Sequence, residues 1–191
     1  VRLGGMTRLP VLDTDLWLVF APIKRVRIDF LSGKATALGA SALWPAITAR
    51  TNVARVSLQR LYANAVEAAE QCGRLSVPEI FAPSPLESVL ESWPEDRHLY
   101  WCDETGGGGP AVQVFGDAVA APAAVLVGPE GGFDDGERAR LRSLPAATAI
   151  DLGPRVMRAE TAAFAALSCW QAILGDWAAV DRSSGAAIGL R

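Results

Sequence analysis

The sequence contains little histidine and cysteine, which limits the kinds of site that it can form. It has one histidine, His98, and three cysteines, Cys72, Cys102 and Cys169, in 191 residues, and no two cysteines form a C-x-x-C pair. We therefore expect no metal site, and we expect reduced thiols, as is usual in the cytoplasm. His98 lies in a predicted strand away from the loops discussed below, so a structural role is favoured over a catalytic one.

Long apolar segments and nucleotide-binding loops are also missing. No apolar run approaches the roughly 20 residues that a membrane helix needs, and no apolar segment follows residues 1–5 as it would in a signal peptide. The sequence has no G-x-G-x-x-G after its first predicted strand, and no Gly-Lys-Ser/Thr triplet. A dinucleotide or a triphosphate is therefore not the expected ligand.

Charge is distributed unevenly along the chain. The net charge is −3, but residues 1–75 carry a net +5 and residues 76–191 a net −8. The basic part could contact phosphates, although solvated arginine-rich helix faces would give the same pattern. Half of the residues are hydrophobic and a fifth are charged, which indicates a folded domain with a sizeable core.

Strand and helix patterns alternate along the chain, which predicts an α/β fold with a mainly parallel sheet. Pro45 is expected to place its strand at an edge or a bulge, Ser84 to cap a helix that has Pro85 at its first position, and residues 106–109 to form a flexible surface connection. The predicted strands are 16–21, 42–48, 77–83, 98–104, 123–128 and 147–153, and the predicted helices are 27–39, 56–74, 84–93, 134–144 and 160–177.

The first candidate ligand loop is 128–133, directly after an apolar strand. Ligands of parallel sheets bind beyond the carboxyl ends of the strands. Gly131 and Gly132 leave the main chain open to a ligand and precede a helix, whose N-terminus offers free N–H groups. Glu130 would repel a phosphate, so a cationic or zwitterionic ligand is a better match.

The second candidate loop, 152–162, contains two arginines. Arg155 and Arg158 flank Met157, and Glu160 and Thr161 could cap the last helix. Arg158 could pair with Glu160, or it could face a phosphate or a base of a substrate. Next to a ligand loop, the second role is about as well supported as the first.

Three motifs resemble those of one enzyme family. GPEGGF at 128–133 and LGPRVMRAETA at 152–162 resemble the paired signatures of the RsmE family, bacterial 16S rRNA (uracil-N3)-methyltransferases of the SPOUT class, and EAAEQCGR at 67–74 is similar to a further motif of that family. The resemblance implies methylation of uracil N3 in 16S rRNA of the small ribosomal subunit with S-adenosylmethionine, a homodimer and a C-terminal trefoil knot. The alternatives are a SPOUT methyltransferase for another RNA, such as tRNA, and a non-catalytic RNA-binding scaffold.

The resemblance also implies roles for individual residues. Arg158 and Arg155 are candidates to stabilise the uracil anion, and Glu130 is either a base or a residue that braces the knot. Arg50, Gln71 and Arg74 are candidate RNA-binding residues, unless they simply lie at a solvated helix end. The implied cofactor-binding residues are Leu126, Val127, Gly128, Pro129, Glu130, Gly131, Gly132, Leu152, Gly153, Val156, Met157, Thr161 and Ala162.

The resemblance suggests a division of the chain into two parts. Residues 1–15 are expected to be the remnant of an N-terminal PUA-like RNA-binding domain, and residues 16–191 the SPOUT methyltransferase domain. The apolar residues of the final helix would form either ordinary core or part of a dimer interface. These residues are Phe164, Leu167, Trp170, Ile173, Leu174 and Trp177.

Overall fold

The computed structural model describes residues 13–52 and 55–178. Most of the predicted remnant domain therefore lies outside the described residues. The strands are β1 (Leu16–Phe20), β2 (Ala42–Ile47), β3 (Glu79–Ile80), β4 (Ser84–Pro85), β5 (His98–Cys102), β6 (Gly109–Pro110), β7 (Ala123–Val127) and β8 (Ala147–Asp151). The helices are α1 (Arg25–Ala37), α2 (Leu58–Cys72), α3 (Leu86–Glu91), α4 (Ala111–Gly116), α5 (Asp135–Ser143) and α6 (Ala159–Ile173).

The strands form one sheet in the order β3-β2-β1-β7-β5-β8-β6, with β4 beside β2. Every pairing among the described strands is parallel, which confirms the predicted α/β fold with a mainly parallel sheet. The central strand β7 is buried at all five positions, as expected for a strand covered on both faces. The carboxyl ends of β5, β7 and β8 therefore meet at one edge of the sheet.

Helices cover both faces of the sheet. On one face, α1, α4 and α6 bury Ile28, Phe115 and Leu167 in the larger core cluster, and α2 packs on α1. On the other face, α3 and α5 bury Leu90 and Leu141 in a second cluster. Since α5 precedes β8 and α6 follows it, the chain passes from one face of the sheet to the other at β8.

The helix ends follow their local sequence signals. Ser57 accepts a hydrogen bond from the Arg60 N–H at the start of α2, and Gly73 ends that helix with a φ of 72°, as a left-handed C-cap requires. Asp134 and Glu137 form a reciprocal capping box at the start of α5. The predicted helices at 56–74 and 134–144 are confirmed.

The predicted position of Pro45 at a sheet edge or a bulge is wrong. Its strand, β2, lies between β1 and the short strands β3 and β4. β3 pairs with Ala42 and Leu43, and β4 pairs with Ala46 and Ile47. Pro45 lacks an N–H donor, and it lies between these two short pairings, so no ladder hydrogen bond is lost.

The predicted helix at 84–93 begins later than expected. Ser84 and Pro85 form β4, and α3 begins at Leu86 without a side-chain cap. The hydroxyl of Ser84 donates instead to the carbonyl of Ala82. Pairing with β2 therefore competes successfully with helix capping at Ser84.

The prediction of a surface connection at 106–109 is confirmed for Gly106 and Gly107, which are exposed outside any strand or helix, but it is wrong for Gly109. Gly109 and Pro110 form β6 beside β8, and α4 follows directly. A Cβ atom on Gly108 would lie 2.6 Å from the carbonyl carbon of Ile150. The glycines therefore allow the connection from β5 to β6 to cross tightly over the end of β8.

The final helix starts one residue earlier than predicted, at Ala159, and its N-cap residue is Arg158. No side-chain cap is present, so the predicted capping by Glu160 and Thr161 is wrong. Leu167 and Trp170 are buried in the core, whereas Trp177 is 49% exposed. Within the part of the chain that the structure describes, no helix is both long and apolar enough to cross a membrane.

Candidate functional site

A cavity of about 400 Å³ opens at the carboxyl ends of β5, β7 and β8. Three loops line it, with residues 102–106, 127–132 and 150–157, and α6 adds Ala159 and Ala162. The volume lies within the range of small-molecule sites. The sheet thus brings the two loops singled out in the sequence together, and it adds a third.

The cavity lining includes most of the implied cofactor-binding residues. Leu126 and Thr161 are the exceptions. Leu126 is fully buried in the core behind the cavity, and Thr161 is exposed in the first turn of α6. Those that line the cavity are Val127, Gly128, Pro129, Glu130, Gly131, Gly132, Leu152, Gly153, Val156, Met157 and Ala162.

The glycine-rich loop 128–132 adopts a conformation that depends on glycine. Gly132 has a φ of 67°, and a Cβ atom at this position would lie 2.6 Å from Cδ of Glu104. The N–H of Gly132 donates to the carbonyl of Pro129 at 2.9 Å, which closes the turn. The bare main chain of this loop therefore forms one wall of the cavity.

Arg50 holds the glycine-rich loop from the side of β2. Its Nη1 donates to the carbonyl oxygen of Gly131 at 2.7 Å. The residue before it, Ala49, donates its N–H to the Glu137 carboxylate at 2.7 Å, and Glu137 also belongs to the capping box of α5. Arg50, a candidate for RNA binding, therefore contacts the glycine-rich loop in this structure.

Arg27 holds the same loop from the side of α1. Its Nη1 lies 2.9 Å from Oε1 of Glu130, and its Nε lies 3.6 Å from Oε1 of Glu160 at the start of α6. Glu160 therefore pairs with Arg27 rather than with Arg158. The other oxygen of Glu160, Oε2, is buried without a hydrogen-bond partner among the described residues.

The third wall of the cavity, residues 102–106, was not predicted. The Asp103 side chain is fully buried and pairs with Arg142 at 3.2 Å, and Glu104 pairs with Arg138 at the same distance. The strand before this wall was recognisable, and its carboxyl end was a signal for a ligand loop. The sequence Cys-Asp-Glu-Thr, however, matches no distinctive motif.

The loop that follows β8 presents its arginines to solvent. Arg155 lines the cavity, and Arg158 lies beside it at the N-cap of α6. Both residues are exposed. Neither side chain forms a hydrogen bond or an ion pair with any residue that the structure describes. Both guanidinium groups are therefore available to a ligand or to a partner molecule.

Cys102 and His98 lie at opposite ends of β5. Burial, together with the nearby Glu104 carboxylate, raises the pKa of the Cys102 thiol to about 12, so this cavity residue stays protonated. His98 does not line the cavity. Its Nε2 lies 2.8 Å from Oγ1 of Thr148, and burial lowers its pKa from the ordinary 6.5.

The remaining two RNA-binding candidates lie away from the cavity wall. The Arg74 side chain is only 10% exposed, and its Nη1 donates to the carbonyls of Thr36 and Ala40, so it ties α2 to the end of α1. Gln71 is exposed and lines a separate open groove between α1 and α2. In residues 13–52 and 55–178, no group of three His, Cys, Asp or Glu side chains could hold a metal ion.

Comparisons with known proteins agree on one family. The model of the RNA methyltransferase domain family matches residues 10–171. The chain is 30% identical to ribosomal RNA small subunit methyltransferase E of Rickettsia conorii over 168 residues, which cover 88% of this chain and 68% of that protein. It is also 30% identical to the protein of the same name from Bacillus subtilis, covering 74% of this chain and 59% of the relative.

A solved structure supports the same relationship. The crystal structure of ribosomal RNA small subunit methyltransferase E from Neisseria gonorrhoeae, bound to S-adenosylmethionine, superposes with a TM-score of 0.77. The two sequences are 27% identical, and the match covers 86% of this chain and 68% of the Neisseria chain.

Proposed function

The chain belongs to the RNA methyltransferase domain family, within it to the ribosomal RNA small subunit methyltransferase E family, and from this premise we propose that it methylates N3 of a uracil in 16S rRNA with S-adenosylmethionine as methyl donor. The cavity over the glycine-rich loop is the observation that carries the proposal. The chain spans 68% and 59% of the lengths of the two curated relatives. The activity and the substrate of this chain are therefore given as proposals.

The cavity fits this cofactor in shape and charge. Leu152, Met157 and Ala162, which are partly exposed, offer apolar surface for the adenine. The main chain of 128–132 can approach the ligand closely because Gly131 and Gly132 carry no side chains. The carboxylates of Glu104 and Glu130 on the wall suit a ligand that carries a sulfonium and an ammonium group. When bound, S-adenosylmethionine supplies an electrophilic methyl group.

Arg158 and Arg155 are proposed to act on the acceptor base. Uracil N3 is a weak nucleophile until it loses its proton, so the site must stabilise the negative charge that develops on the base. The two exposed guanidinium groups have no partners among the described residues. Arg155 lines the cavity, and Arg158 is the N-cap residue of α6, three positions further along the chain. We propose that they hold the uracil anion and the neighbouring RNA phosphates.

Glu130 is proposed to brace the site rather than to remove the N3 proton. One of its carboxylate oxygens is already engaged by Arg27. As a base it would have to leave this contact and turn toward the uracil. The N3 proton is therefore proposed to pass to solvent at the open side of the cavity.

A trefoil knot is proposed for the C-terminal part of the chain. Its support is the position of β8 between β5 and β6, together with the passage of the chain from one face of the sheet to the other at this strand. The connection of residues 103–108 joins β5 and β6 across the end of β8. In the proposed knot, the segment that leads to α6 passes beneath that connection.

A homodimer is also proposed. Phe30 is 53% exposed and Val26 is 80% exposed, and the Phe30 ring contacts Phe164 of α6, with their centroids 5.6 Å apart. Burial of this patch against a second copy would remove apolar surface from water. Residues 1–15 are proposed to be the remnant of an RNA-binding domain, and the cytoplasm is the proposed location because ribosomal subunits mature there.

Calorimetry with S-adenosylmethionine and a methylation assay on undermethylated small ribosomal subunits test the proposal. Mass spectrometry of nuclease digests should find 3-methyluridine in 16S rRNA. Methylation confined to tRNA would support the alternative enzyme, and RNA binding without cofactor binding would support the scaffold. Either result would overturn the proposed reaction. Analytical ultracentrifugation of the same sample tests the dimer.

A further inference from the structure

Arg27 connects the glycine-rich loop with the start of α6, and residues of both segments line the cavity. Its guanidinium pairs with Glu130 in the glycine-rich loop and with Glu160 in the first turn of α6. Arg27 itself does not line the cavity, whereas Glu130 and Ala159, which precedes Glu160, do. The Arg27 side chain therefore contacts these two segments from outside the cavity.

The arrangement is sensitive to the loss of that one guanidinium. Glu130 and Glu160 belong to segments that are 30 residues apart in sequence, and both carry the same charge. The Glu160 side chain is only 12% exposed, so it cannot turn freely into solvent. Without Arg27, the two carboxylates would repel each other across the cavity wall, and the loops would lose their common attachment to α1.

We propose that Arg27 is a positioning residue that sets the spacing of the two cofactor-binding loops, so that S-adenosylmethionine binds with full affinity only when both ion pairs are formed. The inference rests on the proposed function, because it names the ligand of the same cavity. It differs from a purely structural role, because partly exposed ion pairs contribute little to global stability whereas small displacements of a binding wall have large effects on binding and catalysis.

The test compares three variants with the wild-type chain by calorimetry with S-adenosylmethionine. Arg27→Met keeps most of the side-chain length and removes the charge. Arg27→Lys keeps the charge, but its single ammonium group does not reproduce two separate N–H contacts. Arg60→Met is the matched control. Arg60 of α2 pairs with Asp29 of α1, and neither residue lines the cavity.

We expect Arg27→Met to weaken cofactor binding by about tenfold, Arg27→Lys by about threefold, and Arg60→Met not at all. In steady-state assays, the KM for the cofactor should rise while the KM for RNA stays unchanged. The melting temperature of the cofactor-free Arg27→Met variant should lie close to that of the wild type. A large fall in melting temperature with an unchanged Kd would overturn the inference, because it would reveal a purely structural role.

A double-mutant cycle with Glu130→Gln tests whether Arg27 acts through Glu130. The double variant should bind the cofactor no more weakly than the weaker single variant. Additive losses would contradict the mechanism. If the wild-type chain binds no cofactor, the proposed function fails, whereas normal binding by both the wild type and Arg27→Met refutes only the role of Arg27.

Discussion

The two loops that share the cavity are held in different ways. The glycine-rich loop 128–132 is attached on both sides, by Arg50 to the carbonyl of Gly131 and by Arg27 to Glu130. The loop after β8 projects Arg155 and Arg158 into solvent, and Val156 between them is 96% exposed. The glycine-rich loop is fixed by two contacts within the chain. The loop after β8 carries cationic groups that are still available, and only the first turn of α6, which follows it, is attached to Arg27.

This difference suggests that the two loops have different roles, one in cofactor binding and the other in methyl transfer. A cofactor that is used in every reaction benefits from a preorganised wall, because little ordering is then required on binding. A large RNA substrate is met by side chains that are free to rearrange around it. We therefore expect substitutions on the braced side to affect the cofactor, and substitutions on the exposed side to affect methyl transfer.

Arg158→Ala should give the largest effect. Removal of the guanidinium should lower kcat by about 100- to 1,000-fold, the range seen when one group that stabilises developing negative charge is deleted. Cofactor affinity, measured by calorimetry, should be unchanged, because the Arg158 side chain does not line the cavity. Full methylation activity in this variant would exclude Arg158 from the mechanism. It would also contradict the proposed difference in role between the glycine-rich loop and the loop after β8.

Gly132→Ala and Gly153→Ala form a matched pair of glycine substitutions. Both glycines have a positive φ, of 67° and 104°, so each alanine introduces backbone strain of about 1–3 kcal/mol. Only at Gly132 would the new methyl group also collide with Glu104. We expect Gly132→Ala to weaken cofactor binding by tenfold or more, and clearly more than Gly153→Ala does. Equal losses would show that the collision is relieved by movement of Glu104.

Arg50→Met should have a smaller effect on the cofactor. The substitution removes the hydrogen bond to the Gly131 carbonyl but leaves the aliphatic part of the side chain beside the loop. We expect cofactor binding about threefold weaker and an unchanged KM for RNA. A raised KM for RNA with normal cofactor affinity would favour instead the RNA-binding role considered from the sequence.

His98→Gln should have the smallest effect, and only on stability. Because burial lowers the pKa of His98 in the folded state, the unfolded chain binds a proton near pH 6.5 while the folded chain does so only at lower pH. The wild type should therefore lose stability as the pH falls below about 6.5. Urea unfolding at pH 7.5 and 5.5 should show a smaller loss for His98→Gln, and catalysis at neutral pH should be unaffected.

The sequence predicted the elements whose patterns are long or capped. The stripe of Leu61, Ala65, Ala68 and Ala69 and the caps Ser57 and Gly73 define α2 locally, and the five apolar residues of β7 define a buried strand. The two loops that carry the motifs could be predicted because their glycines and arginines directly follow strong strand patterns.

The structural features that the sequence did not predict depend on contacts between residues that are distant in the sequence. Arg27 and Glu130 are 103 residues apart, and no local pattern indicates that they meet. β6 and α4 are short, and β6 is defined by its pairing with β8 rather than by its own residues. The Asp103–Arg142 and Glu104–Arg138 pairs likewise exist only because β5 and β8 bring the third loop beside α5.

The raised pKa of Cys102 has a practical consequence for chemical modification. At pH 7, a thiol whose pKa is raised to about 12 stays almost entirely protonated. Maleimides and electrophilic fragments, which react with the thiolate, would leave the cavity unmarked although a cysteine lies in its wall. Such reagents would label Cys72, which is exposed and does not line the cavity, so a fluorophore attached there could report on cofactor titrations without blocking them.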